Sequence, residues 1–361
     1  MDSLSQIVLG GAVAAAIVPA KHRRAALLAG AALGTLPDLD SLPIALVTND
    51  PVALMTWHRS LTHSLLVLPF IAWAIWAFFR RRGGRVAEAP RAWFWAILLV
   101  LVTHPLLDAF TVYGTQLWWP LPVRPTMWST VFIIDPLYTI WLLIACAVAW
   151  ARPGKAVAQQ ALVAGLVLSS AYLGWSVAAK AMVERAAQAA LAPMGLAHAP
   201  RFSGPTPFNT LLWRVVVMTP DGYVIGDRSV LADHRPMRFQ AHASDTAALQ
   251  ALASAPAVQR LNWFNHGFMR AEARLAAPDA GPATGTPATP TERLVLSDLR
   301  MGLEPAYTFN FGVAQRGAQG EWQPLAPPQR VATEPGSALS RDGIGPVLRA
   351  VWQRIWHEPA S

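Results

Sequence analysis

The sequence predicts a mainly α-helical, polytopic membrane helix bundle of about five to six segments, one of them broken, followed by a small soluble α+β domain. Three observations lead there. Hydrophobic residues make up 53% of the chain and charged residues only 14%, a composition that suits a bilayer better than water. Apolar runs close to spanning length recur through residues 1–180 and then stop. Of the 16 tryptophans, several fall at the ends of those runs, where an interfacial belt places them. The formal charge of +8 does not point to nucleic acid, because the basic residues come in short runs beside apolar segments. Lys21-His22-Arg23-Arg24, Arg80-Arg81-Arg82 with Arg85, and Arg152 with Lys155 follow the positive-inside pattern of cytoplasmic loops.

Taken in order, the first run, Leu4–Pro19, is short for a span. It reads as a retained membrane segment and not a signal peptide: Asp2 stands where a basic n-region belongs, and the positive run follows the apolar stretch. The second, Ala25–Val47, is interrupted by Pro37, which disfavours helix at Leu36, and by Pro43. Broken backbone at membrane depth persists only where protein or a polar cavity surrounds it. Leu61–Phe79, Trp93–Phe110, Val131–Trp150 and Val157–Ala179 complete the set. The lone Cys146 lies in an apolar stretch and reads as a small buried hydrophobe, with no disulfide framework.

With the three basic runs inside, Asp38 and Asp40, His58 and His63, His104 and Asp108, and Asp135 all fall toward the outer ends of four different segments. These positions hold four of the seven acidic residues and three of the four histidines before residue 180. Ionisable groups at a membrane boundary are expensive and default to a functional reading. Residues 1–180 thus form the bundle carrying a metal site, 181–199 a helical extension and linker, and 200–361 an outer, periplasmic α+β domain. In that last part Leu211–Met218 and Tyr223–Gly226 flank Pro220-Asp221-Gly222, a hairpin signal. Arg293–Arg300 and Ala306–Gln315 are further strand candidates, and 276–291 a flexible loop. The domain's own His198, His234, His242, His266 and His357 lack ligand spacing.

Imidazole and carboxylate are the donors that suit zinc and its neighbours. His104 and Asp108, four apart, share a helix face and can meet one ion or simply pair with each other. Pro105 between them loosens the helix. His58 and His63, five apart, do not share a face. The sequence favours His58 in a loop, Ser60 or Thr62 as helix cap, and His63 in the first turn beside a helix N-terminus that attracts anions. Arg59 can clamp the same anion, or the pair can meet lipid headgroups. Asp38 and Asp40 read as ligands, as base toward a bound water, or as a turn that ends a helix. Asp135 before Pro136 is a further ligand candidate or an ordinary N-cap. Tyr113-Gly114-Thr115-Gln116 and Trp118-Trp119-Pro120 look like an interfacial lip over the site.

At these residues the chain resembles the LexA-binding, inner membrane-associated metal-dependent hydrolase family of bacteria. The shared stretches are Met1–Gln6, Leu36-Pro-Asp-Leu-Asp40, His58-Arg-Ser-Leu-Thr-His-Ser64, His104-Pro-Leu-Leu-Asp-Ala-Phe-Thr111, Tyr113–Gln116 and Ile134-Asp-Pro136. Ser60-Leu61 depart from the family's glycine and aromatic. The likeness is close over about residues 1–150 and loose beyond. It implies an inner-membrane hydrolase with one or more divalent metals, zinc expected. His58, His63, His104 and Asp108 would be ligands, Asp38, Asp40 and Asp135 ligand candidates, and Asp38, Asp40 and Arg59 the catalytic groups. The motifs are also distantly similar to those of zinc-dependent phospholipase C and P1-type nucleases. That similarity implies a phosphoester, lipid or lipid-linked, as substrate, and the bilayer as partner. A transporter, a metal carrier or a non-enzymatic scaffold is the competing class, since transporters also bind ions at broken helices.

Overall fold

The fold begins with a cap: Asp2 accepts the Ser5 amide at 3.1 Å and starts α1 (Ser3–Ile17). α2 (Arg23–Thr35) crosses it so closely that a Cβ on Gly10 would lie 2.2 Å from the Gly30 carbonyl oxygen. Only glycine fits that crossing. The computed structural model describes residues 1–275, 291–317, 320–332 and 344–359.

The break at Pro37 is present. α2 ends at Thr35, a 3-10 turn covers Leu36–Asp40, and α3 (Ser41–Val47) follows. Pro43 breaks nothing, because it falls in the first turn of α3, where its missing N–H has no partner to lose. Asp50 caps α4 (Pro51–Trp57) through the amides of Val52 and Ala53. The next helix starts later than expected. Leu61–His63 is a 3-10 turn, Ser60 makes no side-chain cap bond, and α5 (Leu68–Arg81) begins beyond it. His63 therefore precedes that helix, and the anion site expected at a helix N-terminus beside it is not formed. α6 (Gly84–Glu88), α7 (Pro90–Ala109), α8 (Pro136–Ala151) and α9 (Ala156–Leu191) complete the bundle.

Among the described residues, fewer segments are long enough to span than the five to six expected. α7, and the 39 residues Ala156–Met194 that extend α9, are long and apolar enough. A third counts if α4 with its following turn and α5, bent by 59°, form one span. α1 and α8, of 15 and 16 residues, fall short. At about 1.5 Å per residue they reach roughly 24 Å, less than a hydrocarbon core of about 30 Å. An apolar run in sequence includes its flanking turns; the helix does not.

The basic runs meet at one end of the bundle. Lys21 pairs with Glu88 at 2.5 Å, Arg23 reaches the Pro153 carbonyl, and Arg24 donates to that of Trp150 at 2.9 Å. The histidine and aspartate stretches lie at the other.

The sheet-containing part starts at Arg201. β1 (Arg201–Pro205) pairs antiparallel with β2 (Leu212–Thr219), which turns through Asp221 into β3 (Gly222–Ser229) with Thr219 opposite Gly222; β4 (Gln240–Ala243) completes that sheet. α10 (Thr246–Ala251) and α11 (Pro256–Phe264) precede a second sheet. This comprises β5 (Met269–Leu275), β6 (Glu292–Asp298), β9 (Asn310–Arg316) and β10 (Gln323–Arg330) in the order β10-β9-β6-β5, and between β6 and β9 in sequence β7 (Gly302–Leu303) and β8 (Ala306–Tyr307) form a separate two-stranded sheet. The expected hairpin and the Arg293–Arg300 strand are found, whereas Ala306–Gln315 divides between β8 and β9 in different sheets; the expected loop, except Thr291, lies outside the described residues. α12 (Ile344–Trp356) closes the chain. The far half of α9 buries Ala179, Val183, Ala187 and Leu191 against Trp213, Val215 and Val217. Val52 and Met55 of α4 join the core of α11 and the second sheet. The C-terminal part therefore sits on the end of the bundle that holds the site.

Candidate metal centre

Four side chains from three separate stretches converge: Asp38 from the 3-10 turn after α2, His63 from the turn before α5, and His104 and Asp108 from one face of α7. His63 Nε2 and His104 Nε2 are 3.2 Å apart. Asp38 Oδ1 lies 3.4 Å from the first and 3.5 Å from the second, and Asp108 Oδ2 3.3 and 3.6 Å. A tetrahedral ion with ligands at roughly 2.0–2.1 Å sets its donors about 3.3–3.4 Å apart. Five of the six edges of that tetrahedron thus match, and the sixth, between the aspartates, is within 4.8 Å.

The hydrogen bonds say the same. His104 Nδ1–H donates to the Gly34 carbonyl at 2.6 Å. His63 Nδ1–H donates to the Thr62 hydroxyl at 3.0 Å, which passes its own proton to Asp40 Oδ2 at 2.9 Å. With both imidazoles neutral, the two Nε2 atoms are bare lone pairs facing each other, an arrangement that a cation between them would complete. Asp38 Oδ1 and Asp108 Oδ2 are buried with no hydrogen-bond partner. Buried polar atoms of that kind demand an explanation, and a divalent ion supplies it. The residues fit the metal.

Gln6 donates to Asp108 Oδ1 at 3.0 Å and to the His104 carbonyl at 3.2 Å, and the Met1 amine also meets Asp108 Oδ1. Arg59 Nε lies 3.1 Å from Asp108 Oδ2 without hydrogen-bond alignment, and its guanidinium stacks 4.8 Å over the Tyr113 ring. The Arg59 backbone is left-handed, φ 62°, a strained conformation for a side chain of that size. Arg59 N–H reaches Asp40 Oδ2 at 3.1 Å, and its carbonyl accepts from Gln116. Arg59 is therefore buried on Asp108 and does not stand free as an anion clamp.

Three expected ligands are placed otherwise. His58 Nδ1 is 2.6 Å from Asp40 Oδ1, and its Nε2 stays 3.9 Å from Asp38 Oδ1. His58 and Asp40 thus form a pair at the rim and not part of the group of four. Asp135 caps α8 through the amides of Leu137 and Tyr138 and accepts from Tyr172 at 2.9 Å. The cap takes Oδ1 and Tyr172 takes Oδ2, so both oxygens are engaged.

The lip is held from above. Tyr113 donates to the Met55 carbonyl at 2.8 Å, and burial pushes its phenol up to about 12, so it stays neutral. Its ring meets His58 at 5.8 Å on one side and Phe264 at 5.5 Å on the other. Arg260 bonds both the hydroxyl and the carbonyl of Thr56, and His266 meets the Pro125 carbonyl at 2.9 Å. Among the described residues, the histidines of the C-terminal part join no metal-capable group.

Every residue of the centre lies within the stretch, residues 1–183, that matches the family described as YdjM inner membrane protein. The chain belongs to that family. The match ends inside α9, so the C-terminal sheets lie outside it. No curated protein and no solved structure matches the chain. Membership makes this an inner-membrane protein, consistent with its apolar helices.

Sequence reading missed Gln6, Gly34 and Thr62 as supports. The four-residue spacing of Gly30 and Gly34 in an apolar helix signals the close crossing with α1, but nothing in it marks the Gly34 carbonyl as the acceptor for His104. Gln6 and Thr62 had no signal beyond lying in the shared motifs.

Proposed function

We propose that this protein is a membrane-embedded metal-dependent hydrolase acting on a phosphoester, lipid or lipid-linked, at the periplasmic face. The observation that carries the reading is the set of four donor atoms at tetrahedral spacing, two of them buried oxygens without a donor. Asp38, His63, His104 and Asp108 would hold the ion, with zinc the expected choice for two imidazoles and two carboxylates. A divalent ion there would supply Lewis acidity and lower the pKa of a nearby water.

The chain's own residues have defined tasks. His58, its Nδ1 fixed by Asp40, keeps Nε2 toward Asp38 and is placed to take a proton from an attacking water. The two are the more accessible groups here, with side chains 21% exposed at His58 and 24% at Asp38. Substrate would approach on this side. Arg59 holds the Asp108 carboxylate in place and adds positive charge beside a bound phosphoester. Exposed Leu39, Leu42, Leu61 and Trp57 surround the approach and suit a lipid-borne substrate.

The test is turnover by the full-length protein in nanodiscs, using bis-p-nitrophenyl phosphate and a short-chain phospholipid as probes. We expect chelator-sensitive hydrolysis, lost on Asp38→Asn and reduced about 100-fold on His58→Ala. Metal-loaded protein that turns over neither probe would overturn the reaction class. Sidedness is tested separately on spheroplasts in a Cys146→Ser background. Leu121→Cys and Asp221→Cys should react with an impermeant thiol reagent from outside, and Arg85→Cys only after lysis. The reverse pattern would move the substrate to the cytoplasm.

A further inference from the structure

We infer that the C-terminal helix α12 is a second membrane contact: its Trp352–Trp356 edge lies in the lipid headgroup layer beside the mouth of the bundle. The inference needs the family's membrane location but not the hydrolase reading.

α12 has two apolar sides. Ile355 is buried, with Leu348 and Val351 half-buried on the same stripe, and this side packs on β2 and β3. The neighbouring stripe, one residue on and about 100° round the helix, carries Arg349, Trp352 and Trp356 at helical spacing, all exposed. Trp352 is 61% and Trp356 48% exposed, and their rings meet edge to face at 5.7 Å. Two large aromatic faces in water are costly without a partner.

A chain of bonds ties this edge to the bundle. Ser229 Oγ donates to the Ile355 carbonyl at 2.6 Å, and Arg354 and Asp233 pair beside it. Ser229 stands opposite Leu212 at the end of the β2–β3 hairpin nearest the bundle. One residue before Leu211, Thr210 accepts from Trp175 at 3.1 Å and donates to Tyr172, which donates to Asp135, the cap of α8. The C-terminal end of α12 is thus tied, through the β2–β3 hairpin and α9, to the first turn of α8. Exposed Ile133, Ile134 and Leu137 crowd that turn, as a lipid-facing boundary requires. Phe208, packed on Phe132 at 5.8 Å, and Leu231 continue the exposed apolar belt toward α12.

Tryptophan prefers this layer because its ring is apolar and its N–H is wet. Arg349 on the same stripe suits anionic headgroups, the pattern of a helix that lies on a membrane. Continuity with the bundle's boundary selects lipid as the occupant over a second copy of the chain.

The experiment places an environment-sensitive fluorophore on Gln353→Cys, in Cys146→Ser full-length protein, in nanodiscs of phosphatidylcholine and phosphatidylglycerol. Asp221→Cys, at the far tip of the hairpin, is the reference. Headgroup nitroxide lipids should quench the Gln353 probe about threefold more than the Asp221 probe. Adding Trp352→Ala and Trp356→Ala should bring it to the reference level. Equal quenching at both sites, or quenching indifferent to the two tryptophans, would overturn the contact. So would Gln353→Cys disulfide dimers in detergent, which would assign the edge to a second copy.

Discussion

Glu304 and Asp108 are carboxylates set among titratable neighbours, and they are held in opposite ways. Glu304 accepts from Tyr223 at 2.5 Å, from Tyr307 at 2.9 Å and from Arg270 at 2.8 Å, tying β3, β5 and β8 together. Each of its oxygens has a protein donor. Asp108 gives one oxygen to Gln6 and the Met1 amine, and turns the other, with no hydrogen-bond partner, toward two bare imidazole nitrogens. The lesson concerns signs rather than counts. Donors and acceptors alternate around Glu304, so its network closes on itself. At the bundle site the four atoms that face one another are two imidazole nitrogens and two carboxylate oxygens, a set that a cation could close.

The sharpest way to break this comparison is to remove one ligand. Purified wild-type protein should carry about one divalent ion per chain. His104→Ala should weaken its binding by more than about 100-fold, read by elemental analysis and by titration. A variant that retains stoichiometric metal would put the ion elsewhere.

Asp40 tests the supports. It orients both His58 and, through Thr62, His63. Asp40→Asn should weaken the metal about 10- to 100-fold while leaving the fold intact. If affinity is unchanged, the hydrogen-bonded tautomers are not what presents the two Nε2 atoms.

For the closed network the expectation reverses. Glu304→Ala removes the acceptor shared by Tyr223, Tyr307 and one Arg270 nitrogen, and should lower stability by about 1–3 kcal/mol with metal content untouched. Thermal unfolding and elemental analysis on the same preparation decide it; loss of metal would mean the two regions are coupled.

The smallest effect belongs to the seam between them. Burial lowers the pKa of His266 from its ordinary value, against the hydrogen bond to the Pro125 carbonyl, which raises it. The folded chain then binds fewer protons there than the unfolded one. Its contribution is complete above the unfolded value of about 6.5 and shrinks as the pH falls below it. Because the group is only half-buried, the loss should be under about 1 kcal/mol. The melting temperature should drop between pH 7.5 and 5.5, and His266→Gln should flatten that slope. An equal slope in the variant would remove His266 from the account.

Local chemistry alone determined the helical character of residues 1–180, the break at Pro37 and the hairpin at Asp221. Proline geometry, turn residues and apolar runs act within a few residues of where they stand. Residue type and the four-residue spacing on α7 also marked His104 and Asp108, and their apolar surroundings made them suspicious. Which of seven candidates share one ion was not local. His58 and Asp135 are as plausible in sequence as His63 and Asp38, but one pairs with Asp40 at the rim and the other caps α8. Helix ends, too, depended on the whole: α1 and α8 are shorter than their apolar runs because the flanking turns belong to packing and caps. Only the tertiary structure could bring α2, the turn before α5 and α7 to one point, through a glycine-tight crossing and a carbonyl at Gly34 that sequence spacing does not register.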